Sequence, residues 1–150
     1  MNQKGITLIE LIVVCVIIAI GAALFAPHIA AWLPTYRLKS AAREIVSTMR
    51  TAQMRAISNG NQYRVNFNPA EVGAANSFIL QRNSEAGWTD DGEVQDLPKG
   101  ITVDIDRLPA GRALFNPNST ATAGSITLQN AKGACKEISI TSATGRIRIE

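Results

Sequence analysis

The sequence predicts an α+β fold in which one long N-terminal helix packs on antiparallel sheet. Three observations carry that prediction. An apolar run fills residues 11–26, small and apolar residues then recur three or four apart as far as Ala56, and from Tyr63 onward the period switches to two. A long helix followed only by strands is the pattern of an α+β domain rather than of alternating βαβ units.

The first element is the apolar run. From Leu11 to Ala26 the only polar side chain is the thiol of Cys15, and apolar character persists to Leu33, interrupted mainly by His28. At about 1.5 Å per residue, a helix from Ile6 to Ala31 reaches roughly 39 Å, enough to cross a hydrocarbon core of about 30 Å. Ahead of Gly5 stand only Met1, Asn2, Gln3 and Lys4. A secretory signal has a longer preface, a shorter apolar core and small residues marking a cut after that core. Here the natural cut falls before the core, so the expectation is that the apolar helix stays in the mature chain. Trp32 reads as an interfacial aromatic near the membrane boundary.

Pro27 and Pro34 punctuate the helical pattern, since an internal proline removes a hydrogen bond and kinks or loosens a helix. Beyond Pro34 the apolar positions Leu38, Ala41, Ala42, Ile45, Met49, Ala52 and Ala56 define one face, with Arg and Ser between them. That face is expected to pack on a sheet, and Asn59-Gly60 is a stop signal.

The strands follow. Tyr63, Val65 and Phe67 alternate with Arg64, Asn66 and Asn68, and Phe78-Ile79-Leu80 makes a second strand after a loop around Pro69 and Gly73. The stretch 84–100, rich in Gly, Asp and Pro, is expected to carry at most one short strand near Val94 to Leu97. Ile101, Val103 and Ile105 alternate with Thr102, Asp104 and Asp106, and a short strand, Ala113 to Phe115, lies between loops at Pro109-Ala110-Gly111 and Asn116-Pro117-Asn118. Ser125 to Gln129, Cys135 to Ile140 and Arg146 to Ile149 complete the series. The resulting division is a leader, 1–5, a membrane helix, 6–33, and one soluble α+β domain, 34–150.

The net charge is +3, unevenly spread. Arg37, Lys39, Arg43, Arg50 and Arg55 make the helix basic, Glu85 to Asp106 is acidic, and the chain turns basic again from Arg107. Such asymmetry orients a charged partner when it is not simply a solvated face. Cys15 and Cys135 lie in different regions, which makes a disulfide between them implausible, and Cys135 reads as a small buried strand residue. With one histidine, His28 in the apolar region, the domain has no histidine-based triad or zinc site and no phosphate loop ending in Lys-Ser/Thr. Asp90, Asp91 and Glu93 lack the spacing of a calcium loop and read as a solvated turn, with Trp88 a partly buried loop anchor. No enzyme, cofactor or metal site is expected.

Glu10 stands against this background as a carboxylate in an apolar helix, costly unless it is paired. Together with Gly5 and Ile6, four positions before it, it resembles the type III prepilin signal of type IV pilins and pseudopilins. The resemblance implies cleavage between Gly5 and Ile6 by a prepilin peptidase and N-methylation of the new Ile6 amine. It also implies that Glu10 pairs with the terminal amine of a neighbouring subunit during filament assembly, restoring what two isolated charges lose in lipid. Many family members carry Phe where this chain has Ile6. A proline in the matching region of the pilin helix is a family feature that Pro27 resembles.

The remainder is similar to the FimT/GspH group of minor pilins and pseudopilins. The segments that carry the likeness are Leu38-Lys39-Ser40-Ala41-Ala42-Arg43-Glu44-Ile45, Ala52-Gln53-Met54-Arg55-Ala56-Ile57, Phe115-Asn116-Pro117-Asn118, Gly124-Ser125-Ile126-Thr127-Leu128 and Ser142-Ala143-Thr144-Gly145-Arg146-Ile147-Arg148. The likeness implies the type IV pilin fold, a single pass through the bacterial inner membrane, a periplasmic domain and assembly with other pilins or pseudopilins. Major pilins usually end in a disulfide-bounded loop, for which this chain has no cysteine pair, so a minor component is implied.

Gly145-Arg146-Ile147-Arg148 carries a further expectation. On a strand, Arg146 and Arg148 share a face about 6 to 7 Å apart, while Ile147 and Ile149 point to the core. Two always-charged forks suit phosphate oxygens, with Gly145 allowing close approach. In FimT-like competence pilins a Gly-Arg-x-Arg motif is associated with binding double-stranded DNA during uptake. The bland alternative is a solvated strand face or a subunit contact, since pseudopilins also end in Gly-Arg. Lys136 and Arg112 would extend the patch if the fold brings them near. Three readings follow: a structural minor pilin of a type IV pilus, the same pilin with DNA capture, or a minor pseudopilin of a type II secretion system acting in protein export.

Overall fold

The computed structural model describes residues 7–67, 72–73, 76–105 and 107–150, and within these the side chains of residues 26–30 are left undescribed. Helix α1 runs from Leu8 to Asn59, and its assignment passes through both Pro27 and Pro34 without interruption. The chain divides into two compact units, Met1–Leu33 and Pro34–Glu150.

In the first unit, α1 opens on Thr7, whose carbonyl and hydroxyl oxygens both accept from the Glu10 N–H, at 3.1 and 3.4 Å. Thr7-Leu8-Ile9-Glu10 has the Thr-x-x-Glu spacing of a capping box, with the threonine half formed. The next 18 residues, Leu8–Phe25, are long and apolar enough to cross a membrane, and none is buried within the unit.

In the second unit, every position of the expected helix face is buried: Leu38, Ala41, Ala42, Ile45, Met49, Ala52 and Ala56, joined by Val46. Four alanines on that face keep the helix surface low, so sheet side chains such as Tyr63, Phe78 and Phe115 fill the space and are themselves fully buried. The helix stops at Asn59 because Gly60 takes φ +66°, the left-handed turn that glycine adopts without a Cβ penalty.

Two antiparallel sheets complete the unit. The first is built from β1 (Tyr63–Asn66), β2 (Ser77–Ser84), β3 (Gly87–Asp90), β4 (Gln95–Asp96) and β6 (Arg112–Phe115). Its order is β3-β2-β1-β6, with β4 pairing the start of β2 while β3 pairs its end. The second is built from β5 (Ile101–Asp104), β7 (Gly124–Asn130), β8 (Cys135–Thr141) and β9 (Arg146–Ile149), in that spatial order. Its buried set, Ile126, Leu128, Ile138, Ile140 and Ile147, belongs to the same core as the helix face. A helix packed on antiparallel sheets is the α+β architecture the sequence predicts.

Four expectations need correction. The stretch 84–100 holds two strands rather than at most one, because Ser84-Glu85-Ala86-Gly87 closes a β2–β3 hairpin in which Gly87 takes φ +105°. Arg64 and Asn66 are buried, although alternation makes them outward residues, because side chains of the neighbouring strands lie on that face: Gln81 Oε1 accepts from both, and Trp88 packs on Arg64. Arg64 lies over Trp88, 4.2 Å from its ring centre, and its Nε donates to Gln81 Oε1 at 2.7 Å. Cys135 is exposed, because it opens β8 on the face opposite that of Ile138 and Ile140. Ile149 is 40% exposed rather than in the core, because it ends an edge strand.

Candidate functional site

The candidate site residues fall in two regions, one in each unit. In the first, Glu10 sits in the opening turn of α1, exposed, with no ion pair among the described residues. Gly5 and Ile6 lie outside the described residues. The geometry around Glu10 is a capped helix start followed by a bare apolar surface, in which a carboxylate has no compensating charge of its own. The capping box was legible in the spacing of Thr7 and Glu10, and the sequence reading passed over it.

The second region is the far edge of the second sheet. Arg146 and Arg148 stand opposite Thr141 and Ser139 on β8, both exposed and on one face. That face also carries Glu137, held by Arg107 at 3.6 Å, and the terminal residue Glu150. The other two expected cations do not join it. Arg112 belongs to the first sheet, opposite Asn66. There, burial, Arg112 and Asp90 act on Arg64: the first two lower its pKa and the carboxylate opposes them. Lys136 shares the parity of Ile138 and Ile140, so it turns to the helix-facing side. It lines a recess there with Lys39, Arg43 and Ile149.

Gly145 has an intramolecular role. With φ +59°, it would carry a Cβ only 2.5 Å from Gln53 Nε2 and 2.8 Å from the Ser119 carbonyl oxygen. Gln53 Nε2 donates to the Thr144 carbonyl at 3.3 Å, so the β8–β9 turn is clamped on the helix. The Asn116–Thr120 loop beside it is tied by Asn116 to Thr120 and by Gln62 to Asn116. The close approach that glycine permits is to the protein's own helix and loop. Three of the stretches singled out in the sequence meet at this junction.

The acidic turn is likewise engaged internally. Asp91 Oδ2 accepts from Arg55 at 2.6 Å, and Asp90 Oδ1 accepts from Gln81 at 2.8 Å. Among the described residues there is no group of three or more His, Cys, Asp or Glu side chains placed to hold a metal ion.

Lys39, Arg43 and Arg50, which the sequence marks as basic helix residues without assigning them to a site, gather beside β9. They flank the apolar helix face at helical spacing: Arg43 and Arg50 border a groove of ≈ 400 Å³ with Val46, Met54 and Ile149, and Lys39 lines the Lys136 recess, which shares Arg43 and Ile149 with that groove. Their spacing was visible; that β9 would run beside them was not.

A capped, bare apolar helix joined in sequence to a helix-and-two-sheet domain is the architecture of minor pilins and pseudopilins. The chain matches the family described as type II transport protein GspH over residues 41–145, and it belongs to that family. Residues 1–26 match the prokaryotic N-terminal methylation motif. Among solved structures, it is similar to the minor pseudopilin EpsH of the Vibrio cholerae type 2 secretion system, with 13% identity, TM-score 0.64, and coverage of 76% of this chain and 96% of that one. It is also similar to the type IV minor pilin FimU of Pseudomonas aeruginosa, with 19% identity, TM-score 0.58, and coverage of 77% of this chain and 90% of that one. At these identities the likeness carries the fold. No curated protein sequence matches the chain.

Proposed function

We propose that this protein is a minor subunit of a type IV pilus, inserted by its N-terminal helix and assembled through it, with no catalytic role. The observation that carries this reading is the methylation motif over residues 1–26, which takes in an 18-residue apolar stretch of α1, Leu8–Phe25, with none of its residues buried within its own unit. Such a surface is stable only in lipid or against other helices. In this reading residues 1–5 are removed, Ile6 becomes the methylated amino terminus, 6–33 forms the membrane and filament-core helix, and 34–150 is periplasmic. Glu10 pairs with the Ile6 amine of the adjacent subunit and sets the register of insertion. The alternative machine is a type II secretion pseudopilus, where the same chemistry would serve protein export.

The test is incorporation. With Glu10→Ala, the subunit is expected to remain in the membrane but disappear from filaments sheared off the cells. Undiminished recovery of the variant in sheared filaments would remove the assembly role of Glu10.

DNA contact is a second reading, favoured by the two exposed guanidiniums on one face of β9. Binding of duplex DNA to the full chain in detergent should weaken steeply with salt and be lost in an Arg146→Ala/Arg148→Ala variant, because phosphate contacts release counterions. Binding indifferent to both arginines would leave β9 without a DNA role.

A further inference from the structure

The backbone of β9 supports an inference independent of which filament the protein joins. Glu137 and Glu150 exchange both backbone hydrogen bonds, at 3.2 and 2.8 Å. In an antiparallel ladder such doubly bonded pairs alternate with pairs that do not bond. With Ser139 opposite Arg148 and Thr141 opposite Arg146, those two arginines also bond back to β8. The N–H and C=O groups of Ile147 and Ile149 therefore point away from the sheet, on an edge where no further strand pairs. Among the described residues no hydrogen bond reaches them.

That edge borders the groove described above. Its apolar lining is Val46, Met54 and Ile149, of which Met54 is 64% exposed, with the hydroxyls of Ser47 and Thr51 between them. Its margin carries Arg43 and Arg50, and the adjoining recess carries Lys39 and Lys136, none of the four in an ion pair among the described residues. On the other side of the strand stand Arg146 and Arg148, equally without acidic partners. The nearest carboxylates on the sheet, Glu137 and Glu150, share the arginine face, and Arg107 already engages Glu137.

We propose that β9 and this groove form a docking site for an extended, acidic segment of another polypeptide, added as a further strand to the second sheet. The backbone of Ile147 and Ile149 supplies the ladder bonds that any extended chain accepts, and the pleat then selects side chains. Alternate residues of the incoming strand fall over the apolar lining between four cations, and the others fall beside Arg146 and Arg148. A segment alternating apolar and carboxylate side chains matches both sides. Six cations around one short edge exclude basic strands, which keeps the edge from pairing indiscriminately.

The test uses the full chain in detergent and a fluorescent peptide of alternating Val and Glu, with a Val/Lys peptide as control. Saturable binding of the Val/Glu peptide alone is expected, weakening as salt rises. Bound peptide should also slow hydrogen exchange at the Ile147 and Ile149 amides, a signature that charge attraction alone does not give. Ile149→Pro removes an outward N–H and leaves the β8–β9 ladder intact, so it should weaken binding at least about tenfold. Arg43→Glu/Arg50→Glu should do the same with the edge unchanged, which covers the case in which the proline variant fails to fold. Binding without amide protection, equal binding of the Val/Lys peptide, or binding untouched by both variants would overturn the proposal. So would protection of these amides by duplex DNA alone, or by self-association of the chain without peptide, since either would assign the edge to another occupant.

Discussion

Gly145 shows how a residue in a functional-looking motif acquires a structural necessity. Its φ of +59° and the atoms of Gln53 and Ser119 where a Cβ would stand leave room for glycine alone. Gly145→Ala is therefore expected to cost about 1–3 kcal/mol of stability, from backbone strain and forced movement of the clamp. Denaturant melts of the variant and the parent chain check this, and an unchanged midpoint would mean that the turn relaxes freely. Cys135 teaches a similar lesson in reverse. Its residue type suggests burial, yet one position of parity puts it outside, and parity is fixed by Ile138 and Ile140.

Helix α1 was the most legible element. Its second half buries the positions its period predicts, because an amphipathic stripe has one stable use beside a sheet. Ile45, wholly buried at the centre of that stripe, makes a direct test: Ile45→Ala should cost roughly 2–5 kcal/mol, read by the same melts. Strand β1 was less legible. Alternation assumes one wet face, and β1 has none, because Gln81 bonds to both Arg64 and Asn66 and Trp88 reaches over Arg64. The Arg64–Gln81–Asp90 chain of hydrogen bonds, buried at Arg64 and Gln81 and open to solvent at Asp90, follows from that position. Gln81→Leu would leave Arg64 Nε and Asp90 without this partner and should cost about 1–3 kcal/mol, whereas an exposed change such as Thr89→Val should cost little. Comparable midpoints for the two variants would show that water replaces Gln81 without penalty. Strand β3 was hidden because its Gly, Trp, Thr and Asp do not alternate, and the pairing with β2 rather than local preference forms it.

At the scale of the whole molecule, the two units use apolar surface in opposite ways. In Pro34–Glu150 it is turned inward to a shared core, whereas over Leu8–Phe25 the helix presents it outward. The sequence announced both, since an uninterrupted apolar run and an amphipathic stripe are distinct patterns. What it withheld were contacts between distant segments: the clamp of Gln53 on the β8–β9 turn, and the run of β9 beside the basic helix stripe. Those depend on the order of strands in the second sheet, which residue spacing does not encode.

The central claim is that this chain is made as a prepilin and matures into a filament subunit. Intact-mass measurement of the chain, purified from membranes that contain a prepilin peptidase, tests it most directly. The account predicts a mass lacking Met1 to Gly5 and increased by one methyl group on Ile6. A chain that keeps Met1 to Gly5, or that is cut after the apolar run, would contradict it.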